Sequence, residues 1–122
     1  MKYKKKLILL ILIATTSTFI YGQFTCGDTM IDIRDGQKYP TVLIGNICWM
    51  KNNLNFYTNS GSWYMANDSA SYHNFGKLYN WETAQNVCPD SWVLPSDNDW
   101  INLEMEYGMD SIEAYTMGHR GG

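Results

Sequence analysis

Apolar and polar positions change their spacing several times along this chain, and each change marks an element. Lys2, Lys4, Lys5 and Lys6 open it with basic charge. Leu7 to Ile13 is an unbroken apolar run, extended to Ile20 by small and hydroxylated residues and broken by Tyr21, Gly22 and Gln23. A basic start, an apolar run and a small-residue exit describe a secretory leader over residues 1–22, with cleavage expected after Gly22. The alternative is a permanent anchor, but the run is short for a span that needs roughly 20 apolar residues.

After the leader the pattern becomes that of strands. Ile31 and Ile33 alternate with Asp32 and Arg34, Asp35-Gly36 is a tight-turn pair, and Lys38 to Ile44 reads as the return strand. Pro40 cannot donate to a ladder, which predicts an edge or a bulge. Gly45-Asn46 is a second turn and Ile47 to Met50 a third strand, so 29–50 reads as a meander. From Asn52 to Asn74 the chain is rich in Asn, Ser and Tyr, and it reads as a long loop with a short strand near Trp63-Tyr64-Met65. Leu78, Trp81, Ala84 and Cys88 then recur at helical spacing, predicting a helix over 76–87 that ends at Cys88-Pro89. Ser96 predicts the cap of a second helix, with Asp97 and Asp99 in its first turn and Trp100, Leu103 and Tyr107 as its buried stripe. Gly108 ends it. Trp49, Trp81, Trp92 and Trp100 are expected in the core, with Trp63 the arguable case.

Charge sharpens this picture. The whole chain carries a net charge of −3, and removing the four leader lysines leaves −7. An acidic small domain is a poor fit to nucleic acid, which needs a basic face. No later stretch is long and apolar enough for stable membrane insertion once the leader is gone. All five tryptophans follow the leader, enough for an aromatic core. Three cysteines, Cys26, Cys48 and Cys88, in an exported chain predict pairing with one left over.

Catalytic and metal chemistry find little support. Asp28, Asp32 and Asp35 invite calcium, but their spacing departs from the calcium-loop pattern; Asp32 is expected on the solvent face of a strand and Asp35 in a turn. His73 and His119 stand far apart with no metal spacing, and no serine sits in a nucleophile elbow. No catalytic residue, metal ligand or cofactor is therefore expected, and the chain is not read as an enzyme. The residues with most binding potential are the loop aromatics Tyr57, Trp63, Tyr64 and Tyr72, which can offer flat faces to a sugar or a protein.

Three ordered segments resemble one family. Arg34 to Gly45 resembles its opening hairpin, and Cys48-Trp49-Met50-Lys51-Asn52-Asn53-Leu54 the element that follows. Gly76-Lys77-Leu78-Tyr79-Asn80-Trp81, with Cys88-Pro89-Asp90-Ser91-Trp92-Val93-Leu94-Pro95-Ser96-Asp97 and Trp100, resembles its central signature. On these motifs the chain is identified as a member of the Fibrobacter succinogenes major paralogous (FISUMP) domain family. The resemblance implies an exported or surface-exposed module in bacteria of the Bacteroidetes and Fibrobacteres type. It implies an α+β fold similar to C-type lectins and to the formylglycine-generating enzymes, with an N-terminal β-meander followed by two helices. Members usually continue into a Gly- and Trp-rich segment with a late Cys in a closing strand, so the resemblance implies a partial domain over 23–122, lacking its C-terminal part. It also implies a Cys26–Cys48 disulfide with Cys88 unpaired. Simple meander pairing sets Cys26 and Cys48 on strands flanking a middle one, about 9–10 Å apart. A disulfide needs less than about 7 Å, so the segment before Asp28 has to bend over the sheet end. The function implied is non-catalytic binding or adhesion to a protein or polysaccharide. The alternatives are a structural envelope component, or an enzyme whose active site lies in the missing part.

Overall fold

The computed structural model describes residues 1–4 and 24–116. Most of the expected leader, 5–22, and His119 lie outside the described residues. The strands are β1 (Lys2–Tyr3), β2 (Thr29–Ile31), β3 (Lys38–Ile44), β4 (Ile47–Met50), β5 (Ser62–Trp63), β6 (Leu78–Tyr79) and β7 (Trp92–Val93). The α-helices are α1 (Ser69–Tyr72), α2 (Trp81–Ala84), α3 (Asp97–Glu106) and α4 (Ser111–Ala114). The class is mixed α and β with antiparallel pairing throughout the named strands.

The meander forms as its turns direct. β2 pairs β3 with Met30 opposite Tyr39, and β3 pairs β4 with Val42 opposite Trp49. Gly36 and Gly45 supply the positive φ of the two turns, 76° and 57°. Pro40 lies on a strand flanked on both sides, not at an edge. Its carbonyl accepts from the Lys51 N–H, one residue beyond β4, so its missing donor falls where the ladder ends and costs no ladder bond.

The first strand corrects the alternation. β2 stops at Ile31, and Asp32 is 1% exposed while Ile31 and Ile33 face solvent. The main chain turns at Asp32, whose carbonyl accepts from Asp35 and Gly36. Its carboxylate takes the Arg34 guanidinium, with Nε at 2.8 Å and Nη2 at 2.6 Å. These bonds to Arg34 hold Asp32 below the usual carboxylate range. A charge can be buried here because it is paired and hydrogen-bonded.

Cys26 and Cys48 form the disulfide, with Cα atoms 5.7 Å apart. Gly27, at φ 106°, bends the chain, and its N–H donates to Thr41 Oγ1 at 2.9 Å. The Thr41 hydroxyl donates in turn to the Asp28 carbonyl at 2.6 Å. That bend carries Cys26 over the end of β3 and closes the distance that flat pairing leaves open.

Four strands of the main sheet follow one another through space as β2, β3, β4 and β1, and β7 closes the order. Met30, Tyr39, Cys48, Met50, Leu54, Val87 and Trp92 form the core on this sheet. Each such burial stabilises by roughly 1.5–3 kcal/mol. Trp49 and Trp92 are buried as expected; Trp81 and Trp100 are 71% and 46% exposed.

The expected helix over 76–87 is mostly something else. Leu78 and Tyr79 pair with Trp63 and Ser62 as a two-stranded ribbon, and helix begins only at Trp81. Asn80 caps it through Thr83 N–H, which fixes the start and leaves Trp81 on the outside; Val87 supplies the buried contact. The second helix matches its expected start. Ser96 and Asp99 form a capping box, and Gly108 follows its end at φ 95°. Its buried positions are Asp99 and Ile101. Trp100 instead packs at a tilt against Trp49 with ring centroids 5.2 Å apart, and Tyr107 is exposed.

Candidate aromatic binding site

Three stretches of the polar segment converge beside the meander. Leu54 is buried and anchors the first; the Asn55 N–H donates to the Tyr39 hydroxyl at 3.0 Å. The second, 73–77, runs alongside it because Gly76 allows close approach: a Cβ there would lie 2.8 Å from Asn53. Lys77 N–H donates to the Leu54 carbonyl at 2.9 Å, and Asn53 Nδ2 to the Phe75 carbonyl at 2.9 Å. The third is β5. Gly61 sits against Thr83 and Asn80 with no room for a side chain, and its carbonyl accepts from Asn80 N–H. Tyr79 donates to the Phe56 carbonyl at 2.7 Å, tying ribbon to loop, and burial pushes this phenol well above its usual range.

Between these stretches lies an open depression of about 770 Å³ lined by Tyr57, Trp63, Tyr64, Asn55, His73 and Lys77, with Asp35 and Gln37 of the first hairpin at its margin. Tyr57 is 66% and Trp63 40% exposed. The Lys77 ammonium stands 3.7 Å from the Tyr64 ring centroid, a cation–π contact that holds this ring. The Tyr64 hydroxyl and His73 Nδ1 are 3.2 Å apart. Asp68 caps α1 through the N–H groups of Ala70 and Ser71, which sets where His73 emerges. The buried Oδ1 of Asn55 has no hydrogen-bond partner among the described residues. Gln37 Nε2 donates both to Asp35 and to the Asn55 carbonyl, which fixes the rim.

Of the four expected aromatics, the fold brings Tyr57, Trp63 and Tyr64 together. Tyr72 packs with Phe75, centroids 6.1 Å apart, and does not line the depression. Asn55, His73 and Lys77 were not expected. Their sequence neighbourhood is an ordinary polar loop, and only the Gly76–Asn53 approach unites them. Asp35 lies in a turn as expected; Asp32 is paired with Arg34 and is not on a solvent face. Cys88 has no disulfide partner among the described residues, and burial pushes its thiol up, away from nucleophilic character.

The class defined here is a mixed α and β domain with antiparallel sheets, one disulfide and a shallow aromatic site on its loop side. The family model of the Fibrobacter succinogenes major domain matches residues 42–122, more than half of the chain, and the protein belongs to that family. No curated protein and no solved structure matches it.

Proposed function

We propose that this protein is an exported, non-catalytic binding module with a C-type-lectin-like architecture, and that its aromatic depression takes a polysaccharide. The observation that carries this reading is the grouping of the exposed Tyr57 and Trp63 faces around one open depression. Sugar rings offer apolar faces that stack on exposed aromatic side chains. A protein ligand is the alternative occupant of the same surface. Export is supported by the leader pattern and by the disulfide, since such bonds persist in oxidising compartments. No helix among the described residues is long and apolar enough to cross a membrane.

The test is a glycan array probed with the full chain, beside Trp63→Ala and Tyr57→Ala. The expected result is binding to at least one polysaccharide class, weakened about ten-fold or more by Trp63→Ala. A flat array, or binding indifferent to both substitutions, removes the reading. N-terminal sequencing of the exported protein checks the leader, with a mature start at Gln23 expected.

A further inference from the structure

β1 is the odd strand of the sheet. It pairs antiparallel with β4 on one side and β7 on the other, with Lys2 opposite both Trp49 and Val93 and Tyr3 opposite Trp92. The Met50 N–H donates to the Met1 carbonyl at 3.1 Å, and the Lys4 N–H to the Ser91 carbonyl at 2.6 Å. β4 and β7 are therefore two walls of a slot one strand wide. Removal of residues 1–22 empties that slot and leaves unpaired backbone groups in the middle of a sheet, where such groups are costly.

The slot also reads side chains. Lys2 Nζ forms an ion pair with Asp99 Oδ2, whose side chain is 9% exposed. Ser96 bonds the same oxygen through its N–H and hydroxyl. A buried carboxylate stripped of its cation is strongly unfavourable. One position on, Tyr3 enters an aromatic pocket, 5.2 Å from Phe24 and 5.9 Å from Trp92 between ring centroids.

We infer that the β4–β7 slot is a strand-acceptor site whose ligand is an extended segment of another polypeptide, carrying a basic residue immediately before an aromatic one. Residues 1–4 occupy the site in cis and display the recognition rule. Main-chain ladders supply affinity and the two side-chain pockets supply specificity, as in strand addition generally. Burial lowers the pKa of the Met1 amine, so a chain terminus pays desolvation here that an internal segment does not. A segment with no terminal amine at that position avoids this cost. The inference takes from the export reading only the moment at which the slot empties, and it is independent of the aromatic depression.

The test begins from the full folded chain with a specific protease sequence placed within residues 5–23. Cutting severs the covalent link between residues 1–4 and the rest of the domain. A dye-labelled acetyl-Met-Lys-Tyr-Lys-amide is then offered. Saturable exchange is expected, tighter than for the unacetylated peptide, and at least about ten-fold weaker when the peptide's first lysine, the equivalent of Lys2, is replaced by glutamate. No saturable uptake, equal uptake of the lysine and glutamate peptides, or dimerisation of the cut chain in place of peptide uptake overturns the inference. In the uncut protein, Lys2→Glu is expected to speed hydrogen exchange at the Met50 amide about ten-fold while the β2–β3 amides keep their protection. Unchanged exchange at Met50 also overturns it.

Discussion

The meander and the β1–β7 half of the sheet are built in opposite ways. β2, β3 and β4 follow one another through two short turns, and a disulfide crosses them. β1 and β7 come from distant parts of the chain and meet only through tertiary contacts. The first half is specified by local chemistry that any short window of sequence displays. The second depends on long-range closure, which carries an entropy cost that no local signal offsets. The meander is thus the pre-set platform, and the other half is the conditional part of the sheet.

The comparison breaks most visibly at Trp92. Trp92→Ala removes the aromatic floor shared by Tyr3 and Phe24 and is expected to cost about 4 kcal/mol in denaturant unfolding. If its cost is below about 1 kcal/mol, the β7 side contributes little to the core. Cys26→Ser opens the covalent lock of the meander, and the expected loss is about 3 kcal/mol for a bond spanning 22 residues. A smaller loss than this would mean that the turns alone hold the meander.

Acid sharpens the contrast further. Burial alone would raise Asp99, but hydrogen bonds from Lys2 and Ser96 outweigh it and hold the carboxyl at about 2, against 3.8 unperturbed. A depressed carboxylate stabilises fully above its unfolded pKa and loses that contribution as pH falls through the folded one. In the uncut chain, which keeps Lys2, stability should fall by roughly 2 kcal/mol between about pH 4 and pH 2, and Asp99→Asn should flatten that part of the profile. Asp32 is shifted in the same direction by Arg34 and Asp68 by its hydrogen bonds at the start of α1, so a residual slope in Asp99→Asn belongs to these two carboxylates. Smallest is Ser96→Ala, which removes one member of the capping box at about 1 kcal/mol, measured as a fall in Tm.

Legibility in the sequence follows the same division. The turns at Gly36 and Gly45, the third strand and the Ser96 cap were readable because each is decided by two to four neighbouring residues. The Asp32 inversion was not, because alternation cannot announce that an Arg two residues on will neutralise a buried carboxylate. Leu78 looked helical because its spacing to Trp81 suits a helix, yet pairing with Trp63 overrode that spacing. At the candidate site, Tyr57, Trp63 and Tyr64 stood out as loop aromatics. Lys77, His73 and Asn55 did not, since their meeting depends on a main-chain approach at Gly76 that no periodicity encodes.

The position of the disulfide also sets how the domain would bear load. Tension applied ahead of Cys26 and beyond Cys48 passes through the sulfur bridge and bypasses the intervening chain. β2, β3 and both turns are then mechanically shielded, and roughly 70 Å of contour length stays unreleased when the rest unravels. Reduction returns that hidden length. A protein tethered in a flow or against a surface would therefore stretch in two regimes, set by the redox state of a single bond.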